Sequence, residues 1–451
     1  MGPMFSMGQG AANNELLHLG AMDQMIKKGA CVSYFRRRYN KCTNFALESV
    51  CQPFQITPQF GGTSQLTFQR AAELMYTLYV VIDLPAIRAY LPGASGAAPS
   101  VPNLAYNGGL DTPSASANSS AGYPSQQQQQ PPVWCHWANA VAQLIIKRAA
   151  LFVGGHLTDT LYGVSMYMWE ELSGKAGKRL REMIGKRKSR EQLIYDAQRK
   201  QRFYVPMPFY YTLNPGNAMP LVNLHHHGVQ LAVEWEKLEN CVVVSAPGVQ
   251  VLKDDGSALS PNDLKAWVDT TYVHLDVDER NRFATANFDQ LITQTQINFF
   301  HGKSELHQIR LAFNHPVIEL MWAVRRRVNE NANHWFNFSG VGGRDPIEEV
   351  ALRMNNLFRF SGHEGRYYRL VEPYQSHSSI PKSHVYCKSF AIWAEDSNPN
   401  GTSNFSKVDN ADMIIKLQPE LADEYVTVII AARNHQVVRF LEGYGGPLFR
   451  D

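Results

Sequence analysis

No apolar run in the 451 residues approaches the roughly 18 that a membrane-spanning helix needs. The opening stretch MGPMFSMGQGAANNELL lacks the charged-then-apolar order of an export signal, so synthesis in the cytosol is the expectation. Cysteine is sparse: Cys31, Cys42, Cys51, Cys135, Cys241 and Cys387 include no C-x-x-C pair and sit in apolar strand patterns, which reads as buried reduced thiols. Net charge is only +3, so bulk electrostatics call for no nucleic-acid partner. Missing as well are G-x-x-x-x-G-K-[ST], H-E-x-x-H and G-x-S-x-G, and Gly340 to Gly343 do not complete a dinucleotide fingerprint. His225, His226 and His227 would alternate between the faces of a strand, leaving at most two to converge on a metal. We therefore expect a non-enzyme with no catalytic residues, no metal and no cofactor.

What the chain has in quantity is strand signal. Trp267, Thr271, Val273, Leu275 and Val277 recur at strand spacing, as do Leu291, Thr293, Thr295, Ile297 and Phe299. Asp278 to Arg282 lies between them, too charged for either core, and marks a seam between two β domains that stay packed together. Leu74 to Leu84 reads as a strand buried on both faces, and Trp134 to Val153 as a long apolar stretch entering a hairpin turn at Gly154-Gly155. Cys241 to Leu252 reads as two short strands. Val385 to Trp393 and Met413 to Leu417 alternate, and Tyr425 to Leu441 reads as a closing hairpin with its turn at Arg433 to Gln436. Phe45, Leu47 and Cys51 share one strand face. Many short strands with helix confined to connections predict an all-β sandwich architecture.

Two segments depart from this texture. Pro92 to Pro132 contains a single charged residue, Asp111, and five consecutive glutamines, and is expected to be a long surface loop. Between Lys175 and Arg202 eleven Lys or Arg face three acids, a local balance of +8 that leaves −5 for the remainder. Leu180, Met183 and Ile184, then Leu193, Ile194 and Ala197, predict helical turns interrupted at Gly185. With no interleaved aromatics for base stacking, the segment points to protein or membrane contacts through Lys186, Arg187, Lys188 and Arg190, whose reversal to glutamate is expected to spare the fold. A nucleic-acid-binding structural protein acting through residues 175–202 is the alternative, to be recognised by steep salt dependence. Sequons stand at Asn118, Asn337, Asn400 and Asn404, weak signals in a protein folded in the cytoplasm.

Further residues carry a resemblance. Tyr34-Phe35-Arg36-Arg37-Arg38-Tyr39 leads into Thr43-Asn44-Phe45-Ala46-Leu47-Glu48-Ser49. Phe203-Tyr204-Val205-Pro206 precedes Asn214-Pro215-Gly216-Asn217-Ala218-Met219-Pro220-Leu221. Trp267 to Ala284, Ile309 to Pro316, Glu372-Pro373-Tyr374-Gln375-Ser376, Gly401 to Ala411 and Gly445 to Phe449 follow in order. Together these blocks resemble the double jelly-roll major capsid proteins of nucleocytoplasmic large DNA viruses. The resemblance implies two consecutive eight-stranded jelly-roll β-sandwiches, residues 30–277 and 288–451, after an arm at 1–29 and joined by a linker at 278–287. It also implies a structural subunit of an icosahedral virion capsid, a homotrimer with pseudo-hexagonal outline. Its partners would be neighbouring capsomers, minor capsid and penton proteins and an internal membrane, with no sequence-specific nucleic acid. Tyr34, Phe35, Arg36, Arg37, Arg38 and Tyr39 are the expected subunit contacts.

Overall fold

Two tight turns define the architecture. Val153 pairs with His156 across Gly154-Gly155, whose φ angles of 59° and 79° are the left-handed values a two-residue hairpin requires. Met354 pairs with Leu357 across Asn355-Asn356, at 47° and 68°. Asparagine is among the few non-glycine residues that enter this region readily. The computed structural model describes residues 43–91, 133–175 and 177–449, and from Phe45 onward the chain is one compact unit. The arm, the run from Tyr34 to Tyr39, Cys31, Cys42, the Pro92 to Pro132 stretch and Asn118 lie outside the described residues.

Each turn belongs to an eight-stranded sandwich. The first comprises β1 (Phe45–Pro53), β2 (Thr63–Thr67), β3 (Leu74–Leu84), β4 (Ile146–Val153), β5 (His156–Tyr162), β6 (Gln201–Pro206), β7 (Val229–Trp235) and β8 (Lys265–Leu275). The second comprises β9 (Phe288–Gly302), β10 (Leu306–Arg310), β11 (Pro316–Arg326), β12 (Ile347–Met354), β13 (Leu357–Glu364), β14 (Val385–Ser389), β15 (Ala411–Leu417) and β16 (Val426–Leu441). The sheets run β1-β8-β3-β6 and β2-β7-β4-β5, then β9-β16-β11-β14 and β10-β15-β12-β13, all antiparallel. Numbered within its own half, each sandwich has the same order, 1-8-3-6 facing 2-7-4-5, the double Greek key of a jelly roll.

The repeat extends to helices. Helix α1 (Gly163–Ser173) follows β5 directly, and α4 (Gly365–Ser376) follows β13 directly. Both begin with a glycine pressed on the backbone where a neighbouring strand starts: a Cβ on Gly163 would sit 2.1 Å from the Gln143 carbonyl oxygen and 2.7 Å from that of Ile146, and one on Gly365 2.6 Å from that of Ile347. The charged joint is itself a helix, α3 (Val277–Thr285), rather than a bare linker. Asp276 caps it, Asp278 and Glu279 occupy its first turn and Arg282 its last, the order the helix dipole favours. Asn223 donates from Nδ2 to the Phe283 and Ala286 carbonyls and so ties the joint to the first sandwich.

Several expectations need correction. Arg433 to Gln436 make no turn. They lie inside the 16-residue β16, where all four pair with β9 in an unbroken ladder and Arg433 and Asn434 also pair with β11 across a register shift, so the polar residues stay buried. Strand β14 stops at Ser389, short of Trp393. The Trp134 to Val153 stretch is broken by a left-handed Ala140 and a short helix, Val141–Ile145, before β4. The short strands Val242–Val244 and Gln250–Lys253 exist but pair with Cys135–Trp137 and Ile87–Tyr90. Strand β3 buries Leu78, Val80 and Ile82 inward, whereas Thr77 and Tyr79 on its other face stay half-buried. Cys51 is exposed, its Sγ donating to Asp269 Oδ1 at 2.6 Å, because its strand face turns away from the core.

Strands β11 and β16 bury both faces, each against a different body. Leu320, Trp322, Val324, Val428, Ile430 and Ala432 fill the core of the second sandwich. Met321, Ala323, Ile429 and Ala431, one residue out of phase, join the core of the first. Val385 and Cys387 on β14 do the same. The outer face of the sheet β9-β16-β11-β14 is thus internal to the molecule.

Candidate assembly surfaces

The flank formed by β5 and α1 covers that outer face. Tyr167 stacks on Phe336 with ring centroids 4.4 Å apart, and Trp169 lies 3.7 Å from the Arg433 guanidinium. Glu171 accepts from the backbone N–H of Lys382 at 2.8 Å and Ser383 at 3.2 Å. On the β5 side, Thr295 N–H donates to Asp159 Oδ1 at 3.1 Å and Gln294 Nε2 donates to the Thr158 carbonyl. Trp335 Nε1 reaches the Asn240 carbonyl at 2.8 Å. The two sandwiches are therefore in continuous contact along this flank.

Buried charges sit within it. Glu319 Oε1 lies 2.7 Å from Arg433 Nη1 and Oε2 lies 2.8 Å from His377 Nε2, while His377 Nδ1 is 3.7 Å from Glu395. Burial works against all these charges, but the mutual attraction prevails: the Glu319 carboxyl is held below the usual carboxylate range and His377 well above its ordinary value. Asp159 behaves in the opposite way. Burial pushes its carboxyl up to about 7, although the N–H groups of Thr295 and Thr160 and the charge of Arg433 oppose this. Sequence reading missed this network. Its signal was present, in the single carboxylate of Val317-Ile318-Glu319-Leu320-Met321 and the single cation of Ile430-Ala431-Ala432-Arg433.

The basic connection differs from its prediction. Leu180, Met183 and Ile184 lie in turns, and only α2 (Arg190–Ala197) is helical, with Ser189 accepting from the Gln192 N–H at its start. Lys186 pairs with Glu171 and lies 4.1 Å from the Tyr167 ring centroid. Arg187 pairs with Asp196 at 2.5 Å, and Arg190 lies 5.0 Å from the Trp134 ring. Reversal of all four cations is therefore expected to destabilise the fold, because Lys186 pairs with the buried Glu171. Lys188 stays exposed, together with Lys175, Lys178, Arg199 and Lys200.

The three histidines lie in a bend before β7, not in a strand. His226 and His227 each place their rings 4.9 Å from Tyr444, and His227 Nδ1 is 2.9 Å from the Gly445 carbonyl, so the run packs against the second sandwich. Among the described residues no three His, Cys, Asp or Glu side chains are grouped to hold a metal. Of the sequons, Asn337 Oδ1 accepts from Ser339, Asn400 exchanges hydrogen bonds with the Trp393 backbone, and Asn404 Oδ1 accepts from the Ser406 N–H.

Among the described residues, two apolar surfaces stay open. The outer face of β1-β8-β3-β6 carries Phe45 and Leu47, each more than half exposed, next to Val273, Trp267 and Tyr79 and the exposed Tyr204. It holds a groove of about 330 Å³ lined by Ser49, Tyr79, Met183, Tyr204, Asp269, Thr270 and Thr271. The flank formed by β13 and α4 carries Leu357 at 76%, Phe358 at 60% and Tyr374 at 75% exposure, with Val371 also exposed.

Comparison with known proteins covers nearly the whole chain. A family described as major capsid protein N-terminus matches residues 33–108 and 110–276, and one described as large eukaryotic DNA virus major capsid protein matches residues 279–446. The boundary between them falls at the start of α3. The major capsid protein of Pyramimonas orientalis virus is 28% identical, over 96% of this chain and 97% of that protein. That of Paramecium bursaria Chlorella virus 1 is 26% identical, over 96% and 98%. Among solved structures, a quasi-atomic model of the PBCV-1 virus capsid superposes with a TM-score of 0.70 at 22% identity, covering 93% of this chain and all of that one. The Faustovirus major capsid protein superposes at 0.71 with 12% identity, covering 94% of each.

Proposed function

The chain belongs to the major capsid protein family of large eukaryotic DNA viruses, and from that premise we propose that it builds an icosahedral shell as a pseudo-hexagonal homotrimer. The carrying observation is the repeat: one chain holds two sandwiches of identical strand order, so three chains around a threefold axis present six similar lobes. Such a block tiles a hexagonal lattice, with neighbouring capsomers at its rim and penton and minor capsid proteins where the lattice closes. The role is structural, not catalytic, and it is played in the virion after synthesis and assembly in the host cytoplasm. The exposed cations Lys175, Lys178, Lys188, Arg199 and Lys200 suit contact with an anionic internal membrane or acidic protein. Light scattering on the purified protein tests the trimer: the expected mass is three times the 50.8 kDa chain, and a stable monomer at micromolar concentration would overturn it.

A further inference from the structure

We infer that the cleft between β5 and β9, where the two sandwiches meet, is a binding site for a neutral sugar unit. The inference concerns a single chain and does not rest on the trimer.

The cleft encloses about 420 Å³, within the roughly 300–1,000 Å³ of small-molecule sites. Two strand edges form it. In their sheets β5 pairs only with β4, and β9 only with β16, so each strand turns its other edge towards the junction. These edges do not join in a ladder. Side chains take their backbone groups instead: the Thr295 and Thr160 N–H groups donate to Asp159 Oδ1 at 3.1 and 2.8 Å, and the Thr158 carbonyl accepts from Gln294 Nε2. An added strand would find these groups occupied, so the cleft is not built for an extended peptide.

Asp159 marks the site. It lines the cleft yet is only 4% exposed, and while Oδ1 accepts two N–H groups, Oδ2 has no protein partner among the described residues. An unpaired buried polar atom is costly, and a ligand hydroxyl would satisfy it. Because burial pushes the carboxyl up to about 7, the group offers an O–H as well as a lone pair near neutral pH. The amides of Gln294 and Gln436 and the hydroxyl of Thr160 add donors and acceptors along the walls. His315 completes one wall with φ at 67°, a strained value fixed by bonds to both its backbone groups, from its N–H to Ser406 Oγ and from the Phe405 N–H to its carbonyl. Its ring lies beside Gln436, with the two Nε2 atoms 3.2 Å apart. At the rim Leu157 and Phe449 offer apolar faces at 48% and 57% exposure.

Exclusion narrows the ligand class. Among the described residues no lysine or arginine lines the cleft, which leaves a phosphate or sulfate without the usual counter-charge. No three metal-ligating side chains are grouped among those residues. The polar floor is unsuited to a lipid chain. A sugar matches what remains: each hydroxyl both donates and accepts, as the carboxyl, amides and threonine require, and the C–H face of the ring suits the apolar rim.

Saturation-transfer NMR tests the site on the full-length protein made in bacteria, where no glycan is attached. The probes are the methyl glycosides of glucose, galactose, mannose, fucose and xylose, with glucuronate as the charged control. At least one neutral glycoside is expected to bind at concentrations up to about 10 mM, the weak end of measurable affinity. Phe449→Ala, at an exposed position that folding does not depend on, should weaken that binding about tenfold, comparable to one lost hydrogen bond. Asp159→Ala should abolish it, and Asp159→Asn, which keeps a donor and an acceptor, should restore it. If Asp159→Ala misfolds, Phe449→Ala decides. Absence of binding by every neutral glycoside, binding unchanged by Phe449→Ala, or glucuronate bound as strongly as the neutral probes overturns the proposal. Once binding is established, protein purified from virions separates two sources of the sugar. Transfer to an added glycoside upholds a cleft open to glycans from outside the particle, and transfer seen only after enzymatic deglycosylation upholds one filled by a glycan of the capsid itself.

Discussion

At the scale of single residues, the seam between the sandwiches holds groups whose protonation is tied to the fold. Asp159 has a folded value of about 7, raised by burial from an ordinary 3.8, and faces Thr295, Thr160, Arg433, Tyr210 and Tyr211. A carboxyl raised on folding stabilises fully below its unfolded value and progressively less as pH climbs to its folded value. Asp159→Asn keeps the acceptor for both N–H groups and removes that dependence. Chemical denaturation should therefore show the variant matching the parent near pH 4 and exceeding it at pH 8. Glu319 works the other way, whereas His377 shares the sign of Asp159. The lowered carboxyl contributes above the ordinary carboxylate range and loses its contribution as pH falls, and the raised imidazole contributes below roughly 6.5 and loses it as pH rises. Breaking this cluster by Glu319→Gln leaves Arg433 and His377 without their buried partner, a loss of roughly 3–5 kcal/mol. For a single cooperative unit of this size the expected fall in thermal midpoint is about 5 °C. The basic connection offers a paired comparison: Lys188→Glu should leave the midpoint within about 1 °C, whereas Lys186→Glu, set against Glu170 and Glu171, should lower it by several degrees.

At the scale of elements, the duplicated turn and helix start can be tested in parallel. Gly163→Ala and Gly365→Ala each drive a methyl into a carbonyl oxygen at equivalent places in the two sandwiches, and each should cost about 1–3 kcal/mol in urea melts. Legibility also divides here. Strands with one wet face, such as β15, declare themselves by alternation, and the Gly154-Gly155 turn by its composition. The twin turn at Asn355-Asn356 was not read, because asparagine fits many loop geometries and only its positive φ makes it a hairpin residue. Arg433 to Gln436 misled for a physical reason: a polar cluster within an apolar run normally means a turn. Here it is buried by neighbours from elsewhere in the chain, with Asn434 beside Gln296 and Arg433 beside Glu319. Local pattern cannot report such long-range partners.

At the scale of the whole molecule, the two-sandwich plan was legible, since the motif blocks run in order through both halves of the chain. The outward burial of β11, β14 and β16 was not, because a strand covered on both faces looks the same whether its second cover is its own domain or a neighbour. That shared cover has a consequence for folding. Met321, Ala323, Val385, Cys387, Ile429 and Ala431 belong to the core cluster of the first sandwich while lying in strands of the second. Neither half can therefore melt without exposing apolar surface of the other, and calorimetry should record a single cooperative transition whose van't Hoff and calorimetric enthalpies agree for the subunit. A fragment ending at the joint would strand half of a common interior in water. The repeated strand order thus comes with a shared interior, in which the second sandwich is as much a part of the first one's core as a partner to it.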